Sequence, residues 1–233
     1  MITAVILAGG LGTRLQDTVS ELPKPMAPIN NRPFLEYQIE YWINQGVSKF
    51  ILSVGYLRES IIEHFGNSYK NVPIEYIQEK QQLGTGGALL SATVDMNEVF
   101  LLLNGDTFME VNLKTFYDFH VNSQSNWTFA LYKINHQDRY MGIKLAPNGK
   151  ILSLNSNEDN KYTYINGGVY LINSKVLSSF KYKNGEKLSL ENEILPAYFS
   201  NDGDLYGKEF KGKFIDIGIP TDYFRASQIL ENY

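Results

Sequence analysis

Hydrophobic and polar positions in the first half of the chain alternate between two rhythms. Ala4-Val5-Ile6-Leu7 is an unbroken apolar run of the kind that forms a parallel strand buried on both faces. Residues 34–45 then place Phe34, Leu35, Ile39, Trp42 and Ile43 at helical spacing, closed by Gly46. The pattern predicts a strand at 50–54, a helix at 59–65 ending on Gly66, and a strand at 74–77. Thr85 stands where it could cap a helix over 86–92. Residues 99–103 are apolar throughout and run into Asn104-Gly105-Asp106. Strand and helix in strict alternation predict an α/β fold: a Rossmann-like, doubly wound, mostly parallel sheet with ligands at the carboxyl ends of its strands.

The second half has a different texture. A helix over 113–120 is followed by alternating stretches at 127–134, 142–145 and 151–154, with Pro147-Asn148-Gly149 as a turn. Further strands are expected at 168–172 and 214–217, and helices at 190–199 and 223–230. No repeat, linker or low-complexity tract interrupts the chain. Residues 1–233 therefore read as one domain: a nucleotide-binding half over 1–110, then a mixed half over 111–233 with a smaller antiparallel part that takes a second substrate.

The candidate chemistry begins after the first strand. Leu7-Ala8-Gly9-Gly10-Leu11-Gly12-Thr13-Arg14 has three glycines in four positions, so its backbone N–H groups can face a phosphate unobstructed. Arg14 and Lys24 place two cations beside that loop, a device for holding a nucleoside triphosphate. The P-loop ending Gly-Lys-Ser/Thr is absent, and the dinucleotide pattern that starts at Gly10 and Gly12 ends on Leu15. A tight turn without a ligand is the alternative, and it leaves the Pro-flanked Lys24 unexplained. Asp106 and Asp216 each sit at the end of an apolar strand, a costly place for a carboxylate unless it is paired or metal-bound. Two such aspartates suit Mg²⁺ with triphosphate oxygens; the plainer alternatives are a helix cap or a lysine partner.

Composition narrows the partners. A net charge of −4 excludes bulk nucleic-acid binding, so any phosphate site is a local basic pocket. Without cysteine there are neither disulfides nor thiolate metal sites. No apolar stretch approaches a membrane span, and the first residues form a core strand rather than a signal peptide; a cytoplasmic location is expected. His64, His120 and His136 fall in no catalytic pattern.

Leu7 to Leu15 and Pro23-Lys24-Pro25-Met26 together resemble the signature of the sugar-1-phosphate nucleotidyltransferases. That resemblance implies attack of a sugar phosphate oxygen on the α-phosphorus of a nucleotide, with pyrophosphate leaving. It assigns Mg²⁺ to Asp106 and Asp216, and catalytic charge neutralisation to Arg14 and Lys24. Leu7, Ala8, Gly9, Gly10, Gly12, Thr13, Asn104 and Asp106 would line the nucleotide. Glu79, with Gly84 and Thr85, would meet the base. A carboxylate suits guanine, which offers adjacent N1–H and N2–H donors, so GTP is the expected nucleotide. Tyr140, Gly142, Asn166 and Gly167 are similar to the family's sugar-contacting positions. Over the whole chain the likeness is greatest to the D-glycero-α-D-manno-heptose 1-phosphate guanylyltransferases, which supply bacterial surface glycans. One departure concerns the sugar: relatives commonly carry Glu-Lys where this chain reads Asn155-Ser156-Asn157, so either the loop is shifted and Glu158 or Lys161 substitutes, or the sugar is held differently. Uridylyl or cytidylyl transfer to another sugar 1-phosphate, and a noncatalytic sugar-nucleotide sensor, are the competing readings. No motif fixes an oligomeric state; a homodimer is the working expectation.

Overall fold

The apolar run at the start of the chain becomes the middle strand of the sheet. The structure, a computed structural model, describes residues 1–10, 22–134, 142–156, 163–180 and 185–233. Its elements in chain order are β1 (Ile2–Leu7), β2 (Pro28–Ile29), β3 (Arg32–Pro33), α1 (Phe34–Asn44), β4 (Val47–Val54), α2 (Arg58–Phe65), β5 (Ser68–Tyr69) and β6 (Val72–Gln78). There follow α3 (Gly84–Ala92), β7 (Val99–Asn104), β8 (Thr107–Met109), α4 (Leu113–Asn122), β9 (Trp127–Ile134) and β10 (Gly142–Leu145). The last are β11 (Ile151–Ser156), β12 (Thr163–Asn173), α5 (Leu195–Ser200), β13 (Leu205–Glu209), β14 (Phe214–Asp216) and α6 (Pro220–Ile229).

Ten strands join in one sheet whose order is β11-β10-β12-β7-β1-β4-β6-β5, with β9 bonded to β12 and β13. β1 runs parallel to β4 on one side and to β7 on the other, and β6 extends the parallel part. β12 pairs antiparallel with β7, β9 and β10, so the sheet changes character where the second half begins. Because strand side chains alternate between faces, Ala4 and Ile6 enter one core with Leu35, Ile39, Trp42 and Phe116. Val5 enters the opposite core with Leu89, Leu102, Trp127 and Leu190. Helices α1, α2 and α4 thus cover one face, and α3 with the 190–199 segment covers the other. Truncating a fully buried side chain such as Ile6 to alanine would cost about 2–5 kcal/mol.

Three expectations are corrected. The strand expected at 168–172 is the second half of the eleven-residue β12, because Gly167-Gly168 is a bulge rather than a strand start: the register to β9 shifts between Asn166 and Tyr170. The helix expected over 190–199 opens as a wide π-type turn over Leu190–Ile194 and becomes α-helical at Leu195. Thr85 does not cap a helix. α3 already starts at Gly84, while the Thr85 hydroxyl donates to Glu191 at 2.8 Å and accepts from the Leu190 N–H at 2.9 Å. β13 was not foreseen; Gly207, Lys208 and Glu209 mask it, and its pairing is to β9 rather than to a sequence neighbour.

Candidate active site

The carboxyl ends of β1, β4 and β7 close on one another. The Ala8 N–H donates to the Ser53 carbonyl at 2.8 Å, and the Gly105 N–H to the Leu7 carbonyl at 3.0 Å. A Cβ at Gly105 would lie 2.5 Å from the Leu7 carbonyl oxygen, and one at Gly55 would lie 2.9 Å from that of Gly9. Side chains are therefore excluded from these junctions, and the strand ends form the floor of a cavity of about 720 Å³. Such a crevice is where α/β sheets bind ligands.

Leu7, Gly9 and Gly10 line this cavity. Ala8 is buried and faces away from it; Gly12, Thr13 and Arg14 lie outside the described residues. Glu79 follows β6 and is 8% exposed, so it is no solvated strand-end charge. Its Oε1 accepts from the Ser53 hydroxyl at 3.1 Å and its Oε2 from the Leu83 N–H at 3.2 Å. A Cβ on Gly9 would overlap the Glu79 carboxylate, so Gly9 and Glu79 need each other's geometry.

Gly84 and Thr85 also line the cavity, but the glycine cluster serves chiefly to seat residues 186–189. The N–H groups of Gly86 and Gly87 donate to the Leu188 carbonyl, and the Leu188 N–H to the Leu83 carbonyl. This strap brings Lys187 and Glu191 to the cavity wall. Neither was singled out from sequence, where 190–199 read as an ordinary helix; contacts about 100 residues apart, such as the Thr85–Glu191 hydrogen bond, bring them to the cavity.

Asp106 and Asp216 meet through a short antiparallel ladder in which Asp216 opposes Thr107, and the Ile217 N–H donates to the Asp106 carbonyl at 3.0 Å. Both carboxylates face the cavity. Lys24 Nζ stands 2.5 Å from Asp106 Oδ2, and Thr107 Oγ1 donates to Oδ1 at 3.2 Å. The Gly218 N–H donates to Asp216 Oδ1 at 2.7 Å. A Cβ on Gly218 would lie 2.7 Å from that oxygen and 3.2 Å from Lys24 Nζ, so the ammonium is packed at the junction of both acids. The lysine partner anticipated as the plainer explanation of Asp106 is thus Lys24 itself. Two adjacent carboxylates, with no cluster of three acidic or histidine side chains among the described residues, form an incomplete all-oxygen donor set. That set fits a hard divalent cation that completes its shell with phosphate oxygens and water.

At the far end of the cavity, Asn166 donates to the Tyr170 hydroxyl at 2.5 Å and accepts from the Gly168 N–H at 3.0 Å. One N–H and one acceptor lone pair of its amide remain for a ligand. Gly168, at φ +69°, lines the cavity with Asn104; a Cβ there would press on Asn104 and Thr107. Gly167 is a packing position, its free face filled by Met109, and Gly142 stands outside the cavity wall beside Ile143, which is in it. Tyr140, Glu158 and Lys161 lie outside the described residues. No helix among the described residues is long and apolar enough to cross a membrane.

Comparison with known proteins bears on this arrangement. The model of the nucleotidyl transferase family matches residues 3–233. A D-glycero-α-D-manno-heptose 1-phosphate guanylyltransferase of Aneurinibacillus thermoaerophilus is 40% identical, the match covering 99% of each chain. The enzyme of the same name from Campylobacter jejuni is 36% identical over 95% of this chain and 96% of its own. The crystal structure of HddC from Yersinia pseudotuberculosis, complexed with GMP-PN, superposes with a TM-score of 0.84 at 33% identity, covering 98% of this chain and 99% of that one. A full-length family match, near-complete relatives and a shared architecture agree: the chain belongs to the nucleotidyl transferase family.

Proposed function

We propose that this enzyme transfers GMP from GTP to D-glycero-α-D-manno-heptose 1-phosphate, giving GDP-heptose and pyrophosphate, in the cytoplasm and for bacterial surface glycans. The observation that carries the reading is the convergence of Lys24, Asp106 and Asp216 at one end of a cavity whose other walls hold Glu79 and Asn166. The names of the full-length relatives support the base and the sugar.

A sugar phosphate is already a nucleophile, so the protein's work is alignment and charge neutralisation. Glu79 offers two carboxylate oxygens to the N1–H and N2–H of guanine, with Ser53 and Leu83 holding its orientation. Lys24, fixed on Asp106, places its positive charge where negative charge develops on the α-phosphate. Arg14 neutralises the departing pyrophosphate. A divalent cation on Asp106 and Asp216, Mg²⁺ in this reading, would supply further charge neutralisation at the α-phosphate. At the sugar end, Asn166 offers a donor and an acceptor to adjacent hydroxyls. Lys187 and Glu191 add a further cation and acid to the cavity wall beside Gly84 and Thr85.

The test is pyrophosphate release from each nucleoside triphosphate with Mg²⁺ against a panel of sugar 1-phosphates, with Asp106→Asn beside it. Release confined to GTP and the heptose phosphate, and lost in the variant, is expected. Release with another pair overturns the base or sugar assignment; nucleotide binding without release from any pair overturns the enzymatic reading. Light scattering reads the homodimer expected alongside it.

A further inference from the structure

Helix α1 has a polar seam on its buried side. Gln38 is 1% exposed, between Tyr37 and Ile39, which are buried too. A primary amide that deep is costly unless it is bonded. Gln38 Nε2 donates to the Asn104 carbonyl at 2.9 Å and also to the Thr107 carbonyl. These residues are the two ends of the turn Asn104-Gly105-Asp106-Thr107 that carries the cavity aspartate. The seam continues at helical spacing. The Tyr41 hydroxyl donates to the Val111 carbonyl and accepts from its N–H, at 3.1 and 2.8 Å, and Gln45 Oε1 accepts from the Leu113 N–H at 3.1 Å. Three side chains at i, i+3 and i+7 thus bond the backbone along 104–113, and Gln38 is the one that straddles Asp106.

The geometry points to Gln38 as a positioning residue for Asp106. With only two N–H groups, a single planar amide that serves both carbonyls fixes the spacing and tilt of the turn between them. It thereby sets the direction in which the Asp106 carboxylate meets Lys24 and Asp216, and the aim with which the two acids hold a divalent cation. The inference rests on the reading that Asp106 and Asp216 are that cation's ligands. Gln38 touches neither substrate nor metal; it acts through backbone it shares with a residue that does. A hydrophobic side chain of similar length would fill the space and leave the turn without its common donor.

The experiment is an electron paramagnetic resonance titration of Mn²⁺ into the full chain with GTP, for the wild type, Gln38→Met, Ile39→Val and Asp106→Asn. Ile39 is buried on the same helix, so its variant controls for loosened packing. The half-saturating Mn²⁺ should rise about tenfold in Gln38→Met, the usual effect of removing an outer partner of a metal ligand, and stay at the wild-type value in Ile39→Val. Amide exchange should quicken at Ile217, whose N–H bonds the Asp106 carbonyl, and stay slow at Leu52 in the sheet. Wild-type Mn²⁺ affinity and Ile217 exchange in Gln38→Met overturn the proposal. If the wild type and Asp106→Asn bind Mn²⁺ alike, the metal assignment itself fails. Gln38→Glu is nearly isosteric and loses the double donor as its carboxylate; it is the second variant should Gln38→Met not fold.

Discussion

Replacing Glu79 with glutamine should separate recognition of guanine from folding. The side chain is buried and held by two bonds of 3.1 and 3.2 Å, one to each carboxylate oxygen, and each oxygen has two lone pairs. Each oxygen keeps a lone pair for the cavity. Against guanine the carboxylate can make two charge-assisted bonds, each of about 1.5–3 kcal/mol. Glutamine keeps one acceptor, can still serve Leu83 or Ser53, and turns an N–H₂ group toward a donor of the base. The net loss is about 3 kcal/mol, or roughly 100-fold in kcat/KM for GTP. Uracil offers one N–H, so UTP should lose less and the GTP preference should narrow. The assay is pyrophosphate release at varied GTP and UTP with saturating sugar phosphate, beside a thermal melt that should move by little. Gly9→Ala reaches the same end from the other side, because its Cβ overlaps the Glu79 carboxylate and displaces it. An unchanged GTP to UTP ratio in both variants would refute the base assignment.

Two further outcomes follow from local geometry. Gly168→Ala places a Cβ at φ +69° against Asn104 and Thr107, which should cost about 2 kcal/mol, lower Tm by about 6 °C in a melt, and raise KM for the sugar phosphate. Among the described residues, buried His120 has the Thr128 hydroxyl as its side-chain partner, and burial pushes its pKa from 6.5 down to about 4. The unfolded chain therefore takes up a proton that the folded one refuses: the His120 contribution is fully present above pH 6.5 and is lost as pH falls toward 4. It amounts to about 3 kcal/mol at most. Urea titrations at pH 7 and pH 4.5 should differ by an amount that shrinks in His120→Gln.

Periodicity carried the first half of the fold. β1 and α1 were legible because one is apolar on both faces and the other on a single stripe, and the structure places them as core strand and covering helix. What escaped was whatever depends on distant partners. Thr85 has the chemistry of a helix cap, yet its hydroxyl is committed to a strap a hundred residues later. Gly167-Gly168 looks like a strand boundary, but the bulge it forms keeps β12 continuous. Glu79 sits between polar neighbours in sequence and is nevertheless buried, because Gly9 leaves the room it occupies. Asp106 and Asp216 could be singled out as charges in apolar strands, whereas their adjacency is a matter of β8–β14 register. Lys187 and Glu191 had no local signal at all.

The charge of the cavity makes a final demand on the ligand. Among the described residues its wall holds four carboxylates, Glu79, Asp106, Asp216 and Glu191, against two ammonium groups, Lys24 and Lys187. Lys24 is already shared with Asp106. A triphosphate entering a site with two net negative charges is repelled, and the low dielectric of the surrounding protein strengthens the repulsion. Arg14, in the role proposed for it, would offset one charge; the remainder would have to arrive with the substrate, as a divalent cation carried on its phosphates. Nucleotide affinity should therefore collapse when the metal is removed, rather than turnover alone. Calorimetric titration of GTP with Mg²⁺ and with EDTA should show Kd rising at least about tenfold in EDTA, equivalent to about 1.4 kcal/mol. In Asp106→Asn, which removes one of the repelling carboxylates together with a metal ligand, the gap between the two conditions should narrow from both ends. Equal GTP affinity with and without metal in the wild type would mean that the acids do not face the phosphates, and the polarity assigned to the cavity would have to be reversed.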